Sequence, residues 1–93
     1  MTFLEIIRHP DTRFVDVRTV AEFNSGHLNG AVHIPLDQFQ TRYAEIDRLG
    51  EVPVVFYCRS GNRSGQAVAY LQQKGVKNIY NGGGLDDLLY HLN

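Results

Sequence analysis

The run Val52-Pro53-Val54-Val55-Phe56-Tyr57 is apolar at both alternating positions, which is the pattern of a strand covered on both faces in a parallel sheet. It ends at Cys58, the only cysteine, and passes through the polar loop Arg59-Ser60-Gly61-Asn62-Arg63-Ser64. A helical stretch follows at once, from Arg63 to Lys74, with Ala67, Val68, Tyr70 and Leu71 on its packed side and Gly75 as its stop. A doubly buried strand feeding a helix through so short a loop commits the chain to an α/β architecture, because its sheet needs helices on both faces.

The rest of the chain alternates in the same way. Thr2-Phe3-Leu4-Glu5 has capping-box spacing and starts a short helix carrying Phe3, Leu4, Ile6 and Ile7, which stops before Pro10. Arg13 to Val17 reads as a strand, Thr19 as the cap of a brief helix through Phe23, and Ala31 to Ile34 as a second strand closed by Pro35. Asp37 to Leu49 predicts a helix with Phe39, Tyr43 and Ile46 inward, and Lys77 to Tyr80 a last strand. Gly82-Gly83-Gly84 reads as a tight turn that brings backbone close to the cysteine loop, before a C-terminal helix from Leu85 to Leu92. Phe3, Phe14, Phe23, Phe39, Phe56 and Tyr70 fall on apolar faces and are expected in the core. With no repeat or linker in sight, residues 1–93 form one domain.

Composition excludes several classes of function. With 43% hydrophobic and 20% charged residues and a formal charge of −1, the chain reads as an ordinary soluble globular domain. It has no basic stripe to suggest nucleic acid or an anionic membrane, and no apolar run of membrane-spanning length. One cysteine makes no internal disulfide, so the expected compartment is the cytoplasm.

Cys58 is the candidate nucleophile. A cysteine between a strand end and a helix start is surrounded by backbone N–H groups without helical partners, which favour thiolate over thiol. Arg59 and Arg63 add positive charge to the same loop. A free cysteine titrates near about 8.5 and helix-terminal, cation-flanked ones at roughly 3.5–7.5. A lone cysteine is commonly a small buried hydrophobe, but packing alone does not call for two arginines and two glycines beside it.

Three blocks resemble the rhodanese-type sulfurtransferases, in particular single-domain thiosulfate sulfurtransferases of the phage-shock kind. They are Asp16-Val17-Arg18 with Glu22-Phe23, then Gly26-His27-Leu28-Asn29-Gly30-Ala31-Val32-His33-Ile34-Pro35, then Cys58 to Ser64 trailed by Asn78 to Leu88. The resemblance implies a three-layer α/β/α fold with a parallel sheet of four strands, or five with a very short edge strand. The phage-shock enzyme is exported behind a signal peptide, which implies a periplasmic location if such a segment has been removed. Many family members carry tryptophan where this chain has Leu88, a difference shared with the phage-shock subgroup.

Loop length separates sulfur transfer from phosphoryl transfer. A Cys-x-x-x-x-x-Arg phosphatase loop clamps a tetrahedral phosphoryl group with its arginine, whereas here the sixth residue after Cys58 is Ser64 and Arg63 falls one position early. The resemblance therefore implies that Cys58 takes a sulfane sulfur from a donor such as thiosulfate. A persulfide, solvated by the Arg59–Ser64 loop, would pass that sulfur to cyanide or a thiol. Arg59 and Arg63 are expected to bind the donor, Arg63 lying over the pocket and Arg59 pointing outward. No metal or organic cofactor is implied. The alternative is a non-catalytic or regulatory persulfide module serving a protein partner.

The remaining polar residues read as structural. Asp16 and Arg18 are expected to bond backbone groups and pair with a partner such as Glu22. His27 and His33 stand six residues apart without acidic or thiol companions in metal-ligand spacing, and His27 is expected to hydrogen-bond its own turn.

Overall fold

The computed structural model describes residues 1–93. Helix α1 (Phe3–Arg8) begins with a complete capping box: the Glu5 N–H donates to the Thr2 hydroxyl at 3.2 Å and the Thr2 N–H to the Glu5 carboxylate at 2.9 Å. Strand β1 (Arg13–Asp16) leads to α2 (Val20–Asn24), which Thr19 and Glu22 cap in the same reciprocal way. After β2 (Val32–His33) the chain makes a 3-10 turn, the single-turn helix α3 (Phe39–Arg42) and a second 3-10 turn. Strand β3 (Val54–Cys58), helix α4 (Asn62–Gln73), strand β4 (Ile79–Gly84) and helix α5 (Leu85–Leu92) complete it.

The four strands are parallel in the order β2-β1-β3-β4. Alternation along β3 divides the interior into two cores. Val54, Phe56 and Cys58 pack with Val15, Val17, Phe39, Ala67 and Leu71 on the α3–α4 side, while Val55 and Tyr57 pack with Ile6, Ile7 and Leu88 on the α1–α5 side. This is the expected three-layer α/β/α arrangement, with four strands. All strands deliver their carboxyl ends to one rim, where ligands of open parallel sheets bind, and Cys58 is the last residue of β3 at that rim.

Three expectations are corrected. The helix expected over 37–49 is broken: Ile46 is extended (φ −73°, ψ 114°) and Arg48 is left-handed (φ 57°). Phe39 and Ile46 are nevertheless buried, so two short turns satisfy the apolar spacing that a continuous helix was expected to satisfy. The Thr41 hydroxyl donates to the Gln38 carbonyl, a local bond that competes with helix propagation.

The last strand is longer than expected and runs through the three glycines, with a register shift against β3 between Phe56 and Cys58. Finally, Phe3 is 38% exposed and outside the core. Phe23 is only half-buried and lies between two imidazoles, His27 at 3.7 Å and His33 at 4.2 Å between ring centroids.

Candidate active site

The β3–α4 loop wraps the sulfur. Gly61 adopts a left-handed conformation (φ 99°), and its N–H donates to the Cys58 Sγ at 3.0 Å. A side chain at Gly61 would be strained in that conformation and pressed against the Gly83 Cα. Ser64, in the first turn of α4, is buried with its Oγ 3.5 Å from the sulfur.

Burial pushes the Cys58 thiol up, but the Ser64 hydroxyl and the N–H groups of Ser64, Ser60 and Gly61 outweigh it and bring the thiol down to about 7. The expected anion cradle is present, and hydrogen-bond donors rather than guanidinium charge are its main cause.

The Ser64 hydroxyl has one proton and two claimants. It donates to the Asn81 Oδ1 at 2.7 Å, so a neutral Cys58 can donate to Ser64 in turn, and a thiolate gains from Ser64 only when that proton swings back. Asn81 also accepts from the Gly83 N–H at 3.0 Å and donates to the Gly61 carbonyl at 2.9 Å. One side chain on β4 thus holds the loop, the helix start and its own strand. Asn81 was not singled out from the sequence, although an asparagine is out of place in a strand unless its amide has work there.

The glycine run acts by close approach, as expected of it. A Cβ on Gly84 would stand 2.3 Å from the Arg59 carbonyl oxygen, so only glycine lets β4 lie against the cysteine loop.

The two loop arginines differ. Arg63 is half-buried, and its guanidinium forms a two-pronged pair with Glu22 of α2, at 2.7 and 3.0 Å. Arg59 is exposed, makes no ion pair, and lines a cavity of about 570 Å³ with Arg18, Glu22, His27, Asp86 and Leu89. Ser60 and Asn62 are exposed; the Asn62 Oδ1 accepts from the Gln66 side chain on the outer face of α4. The structure therefore brings Gly61 and Ser64 onto the Cys58 sulfur and leaves the Asn62 side chain outside.

Glu22 does not pair with Asp16 or Arg18, which pair with each other. Arg18 grips the wholly buried Asp16 carboxylate through Nε and Nη2, with contacts of 2.8–3.0 Å, and donates to the Gly26 carbonyl at 2.7 Å. These contacts pin the β1–α2 turn. His27 meets the Phe23 carbonyl at 2.8 Å and His33 that of Arg18 at 2.8 Å, so both imidazoles bind backbone.

The chain is a parallel α/β domain with a thiol at the carboxyl end of a central strand, set against the N–H groups where the next helix opens. Residues 2–87 match the rhodanese-like domain family, and the chain belongs to it. The chain is similar to a solved "rhodanese with anions" from E. coli, at 34% identity and TM-score 0.75, covering 82% of this chain and 89% of that one. A Staphylococcus saprophyticus structure is similar at 31% identity and TM-score 0.74, covering 90% and 82%. Among curated relatives, a tRNA uridine(34) hydroxylase of Hamiltonella defensa is 39% identical over an 80-residue alignment that covers 82% of this chain. The match spans only 22% of that relative's length.

Proposed function

We propose that the domain is a sulfurtransferase that moves a sulfane sulfur through a persulfide on Cys58. One observation carries the reading: the Cys58 sulfur accepts the Gly61 N–H at 3.0 Å and stands 3.5 Å from the Ser64 hydroxyl, inside a loop that ends in Ser64 rather than arginine. In the first step the Cys58 thiolate attacks the outer sulfur of thiosulfate. A Cys58 S–S bond forms as the sulfur–sulfur bond of the donor breaks, and sulfite leaves with the electron pair. In the second step cyanide or a thiolate takes the terminal sulfur and Cys58 leaves as thiolate. Charge balances at each step, and the loop donors solvate the anionic terminal sulfur.

The test is turnover of thiosulfate and cyanide to thiocyanate, with a thiosulfate-dependent gain of one sulfur, about 32 Da, on the intact chain. Cys58→Ala is expected to abolish both. Turnover that survives that substitution would overturn the mechanism.

A second reading is a persulfide-bearing module serving a protein partner, favoured by the curated relatives, in which the matched segment is 22% of a longer protein. A persulfide that forms on Cys58 but is discharged only by a partner, with no thiocyanate produced, supports it. The activity those relatives are named for, hydroxylation of tRNA uridine 34, is tested by adding the purified chain to tRNA and following that nucleoside.

A further inference from the structure

Cys58 is wholly buried and lines neither of the two grooves at the carboxyl rim. One groove, of about 570 Å³, is bordered by Glu22 and Arg59, and the other, of about 410 Å³, by Val17, Pro35, Leu36 and Arg63, with Arg18 common to both. The Glu22–Arg63 pair spans the ridge between them. It joins the start of α2 to the first turn of α4, across 41 residues of sequence. Arg63 adjoins Ser64, whose oxygen is 3.5 Å from the sulfur, and its guanidinium presents to Glu22 the planar fork that an oxyanion fits. At 31% and 28% side-chain exposure the two groups are within reach of solvent, whereas the neighbouring Asp16–Arg18 pair is sealed.

We infer that Glu22 is a built-in competitor for the donor: its carboxylate occupies the guanidinium fork that the sulfonate end of the sulfur donor takes, and the donor binds by displacing it. The inference rests on the sulfur-transfer reading and names the seat within that site. Glu22 then sets how strongly an anion must bind to reach the sulfur, while neutral reagents gain nothing from Arg63.

Glu22→Gln is the informative variant, because the glutamine oxygen keeps the capping-box bond to Thr19, while the competing charge and one of the two acceptors for Arg63 are removed. Its KM for thiosulfate is expected to fall about threefold or more with kcat held or raised. In a measurement that needs no turnover, Cys58 is alkylated by iodoacetate and, separately, by iodoacetamide at the same pH. The ratio of the two rates cancels any change in thiolate fraction and is expected to rise about threefold in Glu22→Gln. Adding Arg63→Ala to that variant should abolish the rise. A KM that rises or stays put, an unchanged ratio, or a rise that persists without Arg63 overturns the inference. An unchanged ratio together with a KM sensitive to Arg59→Ala moves the seat to Arg59. Absence of thiosulfate turnover in parent and variant alike counts against the sulfur-transfer reading, and the alkylation ratio still decides whether Glu22 blocks anions.

Discussion

Cys58 owes its acidity to an imbalance between burial, which favours the thiol, and hydrogen bonds from Ser64, Ser60 and Gly61, which favour the thiolate. Alkylation by iodoacetamide should therefore rise with pH through a midpoint near 7, where a free cysteine titrates near about 8.5. Ser64→Ala removes the hydroxyl and should move that midpoint upward; a profile that stays where it was would place the whole effect on the backbone. The placing of Cys58 beside Gly61 and Ser64 was legible in the sequence because they lie on one continuous segment, and a strand running directly into a helix leaves N–H groups unpaired at the junction. Asn81 was not legible. Its bonds to Gly61 and Ser64 cross 20 and 17 residues, a distance that local pattern does not report.

Among the elements, those that carry a local signature matched their expectation and those shaped by tertiary contact did not. The capping box expected at Thr2 formed, and the cap expected at Thr19 formed as a full box with Glu22, each a pair of reciprocal bonds within four residues. The break after α3 answers instead to the burial of Ile46, and β4 continues through its glycines because the cysteine loop lies against them. Gly84→Ala would drive a methyl into the Arg59 carbonyl, forcing the loop or the strand to move. It should cost about 1–3 kcal/mol in denaturant unfolding and raise the Cys58 midpoint as the donors shift.

The contact between α2 and α4 has a pH signature of its own. The paired guanidinium of Arg63 holds the Glu22 carboxyl down at about 2, against an ordinary 4.5. Because the folded value is the lower one, the stabilisation is complete above about 4.5 and is lost as pH falls through about 2. Melting temperatures of the parent and of Glu22→Gln should differ at neutral pH and converge towards pH 2. Curves that coincide at neutral pH would show that the pair contributes nothing to the fold, and a constant offset down to pH 2 would show that the difference does not come from the ionised carboxylate.

For the molecule as a whole, the sulfur site and the most deeply buried charges occupy the same rim of the sheet. No helix is long and apolar enough to cross a membrane, and what the fold encloses is two thin cores on either side of four strands. With so little apolar volume, the rim is held by polar bonds: Arg18 ties Asp16 to Gly26, and the Tyr57 hydroxyl accepts the Leu28 N–H at 3.1 Å. A domain of this size has about 5–15 kcal/mol of stability in all. Breaking a buried pair from one side costs about 3–5 kcal/mol, because the remaining charge is left without a partner. Asp16→Ala should accordingly remove a large share of the stability, read as a shift of the urea midpoint. Asp16→Ala combined with Arg18→Met, which removes both charges, should recover part of it. Recovery by the double variant would show that the cost lay in the stranded guanidinium, whereas an equal loss in both would place it in the bonds that only the Asp16 carboxylate accepts, among them the one from the Arg18 N–H at 2.9 Å that closes the turn after β1.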